Sequence, residues 1–421
     1  MIHNFTLFPG ITLRCVPDDR FKQACMTVQL VHPMSREEAP LNALVPAVLL
    51  RGTESAPDIR SITQRLDDLY GASVGACIRR VGDYQTTGFG CGFVEDRLAL
   101  SGDRILEPMV QFLKELLLCP VLENGIFRQD FVETEKKILS DYLESQYNDK
   151  IRYANLQLLR YMCKADSYGI PRMGEAEDVQ KVTAQALYDY YRRILKESPI
   201  EIFYVGSACP ETVAELMKEV FRDVERDCIS LPGQTPFCDG GEGEYVEKSE
   251  AAQSRLCMGF VSPIDCRNPK TLSLQVLGYI FGGGMTSKLF MNVREKMSLC
   301  YDIGASYYSS KGLLLVSAGV DRDKVETTGN EILNQLENCR SGDITEEELN
   351  AAKQSVCSHM RTVTDSAGSI EEFHSAENLS GSPMTPEEYI REIEKITIDD
   401  VVAAAKTLKL HTVYTLEGVS Q

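Results

Sequence analysis

One stretch of this chain, Phe281–Ser306, combines residue types that could hold another molecule. It opens with three consecutive glycines: Gly282, Gly283 and Gly284. Glycine reaches φ angles that are closed to other residues, or lets another backbone approach closely. Arg294 and Tyr301 follow, and a guanidinium fork and a phenol both donate hydrogen bonds to carbonyl or carboxylate oxygens. The stretch therefore predicts a surface that holds a polypeptide chain or an anion.

The elements that would position this arginine and tyrosine are a helix and a strand. Four apolar residues recur at i, i+4 and predict one inward-facing helical stripe: Met285, Leu289, Val293 and Met297. Arg294 lies at the edge of that stripe, and Tyr301 lies where a strand begins. A structural alternative remains open at this point, in which Arg294 pairs with surface acids and Tyr301 packs in the core.

The order of helices and strands along the chain occurs twice. LDDLYGAS (66–73) and LCYDIGAS (299–306) each precede a hairpin-like pair of strands. The segment 230–244 is rich in Gly, Pro and acidic residues and reads as a linker. The sequence predicts an α+β fold of two homologous halves, 1–230 and 245–421, joined by residues 231–244.

Two helical segments carry specific expectations. Leu41–Leu50 contains Pro46, and because an interior proline costs roughly 3 kcal/mol, the helix is expected to begin near Asn42 or to bend. Phe131–Met162 reads as long helical material.

The composition of the chain argues against some classes of function. The chain has 421 residues, a net charge of −18 and 14 cysteines. A strongly acidic protein disfavours nucleic acid, and cysteines without C-x-x-C pairs or an export signal favour a cytoplasmic location. The longest apolar run is too short for the roughly 18 residues of a membrane helix, so we expect no membrane association.

The motif SKLFMNVREKMSLCYDIGAS (287–306) resembles the C-terminal-half signature of the insulinase/pitrilysin zinc peptidases, which include mitochondrial processing peptidase. The resemblance implies a clamshell of two α+β halves, each an antiparallel-rich sheet packed with helices. It also implies an H-x-x-E-H zinc motif on the helix before Gly52-Thr53, with a distal glutamate on a later helix. Arg294 and Tyr301 match the residues that hold substrate backbone opposite the zinc in this family.

The chain departs from that family at the metal motif. By the resemblance, the two histidine positions fall on Ala43 and Ala47, the glutamate position on Pro46 and the distal position near Asp141. Alanine and proline side chains offer no N, S or carboxylate donor to zinc. We therefore expect no cofactor in this chain and place the zinc in a partner.

Other catalytic motifs are missing from the sequence. The five histidines, none of them i, i+4 from another, are His3, His32, His359, His374 and His411. The chain does not have the GK[ST] order of a phosphate-binding loop. With 14 cysteines, a cysteine nucleophile remains an alternative. None of the 14 has a histidine beside it in the sequence that would mark it as the nucleophile.

The sequence thus predicts a non-catalytic subunit that pairs with a zinc-bearing homologue and holds a peptide or unfolded protein substrate. Two alternatives remain. One is a binding or scaffold protein without proteolysis, since the chain also resembles bacterial proteins associated with elongation factor P modification. The other is a self-sufficient peptidase with an unrecognised metal site. A homodimer of this chain is a further alternative for its assembly.

Overall fold

The fold was analysed in a computed structural model that describes residues 2–381 and 383–419, so residues 1, 382, 420 and 421 of the predicted halves lie outside it. The strands are β1 (His3–Phe8), β2 (Ile11–Pro17), β3 (Gln23–Pro33), β4 (Ser73–Val81), β5 (Tyr84–Val94), β6 (Leu122–Glu123), β7 (Ile126–Phe127), β8 (Ile200–Gly206), β9 (Gly243–Ser249), β10 (Ser254–Val261), β11 (Cys300–Tyr308), β12 (Leu313–Val320) and β13 (Lys409–Gly418).

Helices make up most of the remaining secondary structure. They are α1 (Ala39–Leu49), α2 (Ile59–Asp68), α3 (Leu106–Leu118), α4 (Gln129–Ser145), α5 (Lys150–Met162), α6 (Ala176–Gln180), α7 (Ala184–Glu197), α8 (Pro210–Phe221), α9 (Thr271–Gly282), α10 (Val325–Ser341), α11 (Glu346–Thr362), α12 (Ala367–Ser380), α13 (Pro386–Lys395) and α14 (Ile398–Ala405). Residues Leu289–Lys296 form a π-helix. No helix of the described residues is both long enough and apolar enough to cross a membrane.

Two sheets organise the chain. The first has the order β1-β2-β8-β3-β5-β4 and is antiparallel except for the β2–β8 pair. The second has the order β11-β12-β10-β13-β9 and is antiparallel except for the β13–β9 pair. The predicted α+β class, with antiparallel-rich sheets packed by helices, is confirmed. Both predicted hairpins, β4–β5 and β11–β12, are present.

By packing, the chain divides into two units that are not contiguous stretches. The first unit comprises 1–144, 171–233 and 364–376, and the second comprises 145–170, 234–363 and 377–421. The predicted boundary at 231–244 follows the sequence repeat. Packing divides the chain differently. Helix α5 precedes that boundary but belongs to the second unit, and the first part of α12 follows it but belongs to the first unit.

Each of these two segments completes a core. In the second unit, α5 contributes Ala154, Leu158 and Met162, all fully buried against β10, β12 and β13. Gly259 on β10 makes room for this helix, because a Cβ there would lie 2.5 Å from the Met162 sulfur. In the first unit, Ile370 of α12 packs against the buried Val205 of β8.

Helix α1 is continuous through its internal proline. It begins at Ala39, so the predicted start near Asn42 is wrong. Pro46 has no N–H to donate to the carbonyl of Asn42, and the Thr87 hydroxyl of β5 donates to that carbonyl instead, at 2.5 Å. The proline is tolerated because its neighbouring strand satisfies the acceptor that it leaves open.

The long helical material predicted for Phe131–Met162 consists of two helices. The chain leaves α4 after Ser145, and α5 restarts with the Asp149 side chain accepting a hydrogen bond from the Arg152 amide at 3.0 Å. An aspartate N-cap of this kind favours a new helix over continuation of the old one. The break coincides with the passage from the first to the second unit.

Candidate functional site

The stretch that carries the predicted arginine and tyrosine is built around the π-helix of the second unit. Its Met297 amide donates to the Asn292 carbonyl five residues earlier, at 3.1 Å. Leu289 and Val293 are fully buried, as predicted. The prediction for Met285 and Met297 is wrong, since their exposed fractions are 76% and 44%. The regular helix is only eight residues long, so these two methionines fall in the turns that flank it.

Buried polar contacts fix this helix to the second unit. The Lys288 ammonium, only 5% exposed, lies 3.0 Å from a carboxylate oxygen of Glu348 at the start of α11. In the middle of the helix, Asn292 donates to the Gln335 side chain of α10 at 2.8 Å. These contacts anchor one face and leave the opposite face to solvent. π-helices are rare and occur often at functional sites.

Arg294 lies on that partly exposed face. Its guanidinium lies over the Phe290 ring, 4.6 Å from the centroid, and 3.6 Å from the Glu295 carboxylate. Its side chain is 39% exposed. The ring and the single partly exposed carboxylate leave donors of the fork available to a further acceptor.

Tyr301 begins β11 and is 52% exposed, so it does not pack in a core. Its hydroxyl donates to Asp321 at 2.8 Å, and this bond raises the pKa of the phenol. The phenol is therefore protonated at neutral pH and can act as a donor.

The backbone brings Arg294 and Tyr301 near each other. The Ser298 amide donates to the Arg294 carbonyl at 3.1 Å, and Tyr301 is only three residues further along. Three residues span at most about 11 Å, so both side chains arise from one small surface. Ser298 itself has φ 50°, a left-handed conformation that ends the helix sharply.

The three glycines do not act alike. Gly282 is buried at the end of α9, and a Cβ there would lie 2.6 Å from the Cβ of Ala305 on β11. A Cβ on Gly283 would meet Tyr279, whereas Gly284 faces open space. Close helix–strand packing thus accounts for Gly282, and only Gly283 and Gly284 are exposed.

The predicted metal positions lie in the first unit. Ala43 and Pro46 are buried within α1, Ala47 is partly buried, and Asp141 is exposed on α4. None of the three α1 side chains has a donor atom for zinc, so these residues do not fit a zinc ion. Among the described residues, no group of three His, Cys, Asp or Glu side chains is arranged to hold a metal.

A buried polar network surrounds Asn42 of α1. The Asn42 amide donates to Gln85 of β5 at 2.8 Å and accepts from the Tyr190 hydroxyl of α7 at 2.8 Å. Gln85 in turn donates to the Arg172 carbonyl at 2.6 Å. Because these groups are satisfied by one another, the network fixes α1 in place.

Sequence reasoning missed a large groove on the first sheet. It has a volume of about 1200 Å³, and its walls are formed by strands β3, β4 and β5 and by residues 365–372. Glu371, 1% exposed, accepts two hydrogen bonds from Arg79 at 2.7 and 2.9 Å and one from Thr27 at 2.7 Å. The alternating glycines of β5, GFGCG (88–92), are the signal that could have indicated it, because they leave one sheet face without side chains.

A smaller groove of about 310 Å³ lies on the second sheet. Ile151 and Asn155 of α5 line one side, and the edge strand β11 lines the other. Ser306 in this groove and Ser73 in the larger one occupy the same position of the repeated GAS sequence. The two grooves are therefore corresponding features of the sequence repeat.

Comparison with known proteins finds relatives of this chain in one family. The family model "Peptidase M16 inactive domain" matches residues 181–356. The Bacillus subtilis protein "Probable inactive metalloprotease YmfF" is 30% identical over 409 residues, which cover 97% of this chain and 96% of that protein. "Uncharacterized zinc protease YmxG" of the same organism is 24% identical over 300 residues, which cover 69% of this chain and 71% of that protein. A crystal structure of a conserved protein from Enterococcus faecalis matches with a TM-score of 0.92 and 28% identity, over 100% of this chain and 99% of that one.

Proposed function

Because the chain belongs to the M16 (insulinase-type) peptidase family as a non-catalytic member, we propose that it is the substrate-holding subunit of a zinc peptidase. Arg294 and Tyr301 contribute to a cleft that is shared with a zinc-bearing homologous subunit. One contrast supports this proposal: the α1 positions of the metal motif carry Ala43, Pro46 and Ala47, whereas the arginine and tyrosine are present and partly exposed.

The two side chains suit the backbone of an extended peptide. The Arg294 fork donates to one or two carbonyl oxygens, and its stacking on Phe290 restricts the orientation of the guanidinium. The Tyr301 hydroxyl adds a donor beside it when its proton turns from Asp321 to the substrate. Neither group attacks a peptide bond, so cleavage depends on the zinc of the partner.

Co-expression with a zinc-bearing family member tests this function. We expect the two chains to co-elute from gel filtration and to cleave an unfolded substrate together. Arg294→Ala should lower kcat/KM by about tenfold or more, corresponding to the loss of one charge-assisted hydrogen bond of roughly 1.5–3 kcal/mol. Arg391→Ala is the matched control, since that arginine is 67% exposed and pairs with Glu388 on α13 of the second unit. Failure to associate, or full activity of Arg294→Ala, refutes the proposal.

The groove of the first unit supports a second function, peptide binding without proteolysis. Its volume exceeds the roughly 300–1000 Å³ of ordinary small-molecule sites, so a polypeptide segment is a suitable occupant. A pull-down with tagged chain that retains elongation factor P, with no peptidase subunit, would favour this accessory role. Metal analysis of the purified chain tests the third function, since stoichiometric zinc after dialysis would indicate a self-sufficient peptidase.

A further inference from the structure

The second sheet ends at an edge strand, β9, whose outer side has no partner strand. In the order β11-β12-β10-β13-β9, no strand of the described residues pairs with β9 on the side away from β13. Val246, in the middle of β9, is 70% exposed. An exposed edge strand presents main-chain N–H and C=O groups that a further strand can bind. The outer side of β9 is therefore a candidate binding surface formed by the backbone.

The first sheet shows what kind of element covers such an edge. The series β2-β8-β3-β5-β4 matches the series β9-β13-β10-β12-β11, since each starts with one parallel pair and continues with antiparallel pairs. In this correspondence β9 takes the place of β2. The outer side of β2 is covered by β1, which pairs with it in the antiparallel direction. Among the described residues the second sheet has no counterpart of β1, so the repeat leaves the place of one antiparallel strand open.

The main-chain groups of alternate β9 residues point to that open side. The Ser249 carbonyl accepts from the Val419 amide just beyond β13, at 3.0 Å, so the main-chain groups of Ser249 face β13. Because this direction alternates along a strand, the N–H and C=O groups of Glu244, Val246 and Lys248 face away from β13. Within the described residues, no main-chain hydrogen bond reaches the outward groups of these three residues.

The side chains of the same three residues are acidic, apolar and basic in turn. Tyr245 stacks on Tyr161 of α5, with the ring centroids 4.0 Å apart. The three residues alternate with Tyr245, so their side chains lie on the opposite face of the sheet, where all of them are exposed. When two copies of β9 pair antiparallel around Val246, Glu244 of each copy lies opposite Lys248 of the other. This register also places all the outward main-chain groups in hydrogen-bonded pairs.

The neighbouring strand leaves this charge complementarity in place. On β13 the residue beside Lys248 is Glu417, whose carboxylate lies 2.6 Å from the Arg322 guanidinium. That acid therefore already has its own cation. The residue beside Glu244 is Val413, which carries no charge.

Two like charges flank the strand. Glu242 and Glu250 are exposed, and the same register sets Glu242 of one copy opposite Glu250 of the other. Both lie outside the strand, where no sheet hydrogen bond holds them together, so their side chains can turn apart. A cation also lies near this end, because the Lys150 ammonium is 3.2 Å from the ring centroid of Tyr147, whose hydroxyl is 3.4 Å from that of Ser249.

We propose that the chain forms a symmetric dimer in which the β9 strands of two copies pair antiparallel and join their second sheets. A second copy is the occupant that supplies both a lysine for Glu244 and a glutamate for Lys248. The inference does not rest on the proposed function, because β9 and β11, which carries Tyr301, are at opposite ends of the second sheet. Since β9 has only seven residues, we expect a dimer that dissociates on dilution.

Sedimentation equilibrium of the full chain over a range of concentrations tests this dimer. We expect the mass to rise from that of one chain to that of two. Glu244→Lys and Lys248→Glu each set like charges opposite at both symmetric positions, so each variant alone should dimerise about tenfold more weakly. Lys218→Glu is the matched control, since Lys218 is exposed on α8 of the first unit.

Mixing the two charge variants gives the sharpest result. A dimer of one Glu244→Lys chain with one Lys248→Glu chain again sets opposite charges at both positions. An equimolar mixture should therefore recover the association of the wild type, and so should the double variant. A change of fold caused by either substitution would not be repaired by mixing.

Val246→Pro tests the backbone pairing separately. Proline removes an outward N–H that no main-chain group of the described residues uses, and edge strands tolerate proline at such positions. We expect the variant to stay monomeric with a nearly unchanged Tm, measured by circular dichroism.

Four results would overturn the inference. One is the mass of a single chain at every concentration, and another is association that neither Val246→Pro nor the charge variants weaken. The third is a mixture of the charge variants that associates no better than either variant alone. The last is a chain that is monomeric by itself but binds a zinc-bearing homologue in a way that Val246→Pro abolishes, since the edge would then belong to that partner.

Discussion

The buried ion pair between Lys311 and Asp166 gives the sharpest prediction about stability. Their side chains are 0% and 2% exposed, and the ammonium lies 3.2 Å from the Asp166 carboxylate. The same ammonium donates to the carbonyl and hydroxyl of Thr235 at 3.1 Å, and the carboxylate accepts from the Tyr168 and Cys238 amides, both at 2.8 Å. The pair thus joins the end of α5, the linker and the β11–β12 hairpin within the second unit.

Lys311→Met removes the charge and keeps most of the side-chain volume. The Asp166 carboxylate would then stay buried without its cation, which costs about 3–5 kcal/mol. For a unit of roughly 200 residues, each kcal/mol lowers the Tm by about 2–4 °C, so we expect a decrease of about 6–20 °C. Circular dichroism during a thermal scan measures it.

Two further variants test the reasoning behind that number. Adding Asp166→Asn to Lys311→Met neutralises the remaining charge and should restore part of the lost stability, because the asparagine keeps an acceptor for only one of the two backbone amides. Lys395→Met is the control, because Lys395 and its partner Glu392 are 69% and 49% exposed and such pairs contribute about 0–1 kcal/mol. A Tm within about 2 °C of the wild type for Lys311→Met, or a double variant less stable than the single one, would refute the argument.

Three other predictions follow from the first unit and the linker. Burial lowers the pKa of His32 to about 3. Below about pH 6.5 the unfolded chain therefore binds a proton that the folded chain does not, so the free energy of unfolding falls on acidification. His32→Gln should reduce this loss between pH 7 and pH 5 by about 2 kcal/mol, measured by urea titrations at the two pH values. Thr87→Val should lower the free energy of unfolding by about 1–3 kcal/mol, because it leaves the Asn42 carbonyl without a hydrogen-bond donor. Pro46→Ala should rescue that variant, since it restores a backbone amide that can donate to the same carbonyl. Thr87→Ser keeps the hydroxyl and is the neutral control. Cleavage at a protease site inserted after Gly233 should leave both fragments together in gel filtration, because α5 of the first fragment supplies buried core to the second unit; separation of the fragments would contradict this packing.

Local signals predicted much of the fold correctly. The repeated GAS sequence located both hairpins. The positions that the resemblance assigns to the metal motif, Ala43, Pro46 and Ala47, lie on α1, and that assignment stays a prediction. These features depend on residues close together in the chain, which is why a single sequence can show them.

Features that depend on distant partners were not predictable. The Asn42 carbonyl is satisfied by Thr87, 45 residues away, so Pro46 alone suggested a shorter helix. The exposure of Met297 depends on where the π-helix ends, and spacing alone does not reveal that end. The groove beside Arg79 exists because residues 365–372 pack with the first sheet, nearly 300 residues along the chain.

The exchange of helical segments between the two units has an evolutionary consequence. A duplicated protein that loses the metal ligands of one copy could ordinarily discard that copy. Here the first half carries α5, whose Leu158 and Met162 fill the core beneath the sheet that bears Tyr301. Deleting the first half would therefore remove these buried side chains from the core of the second unit.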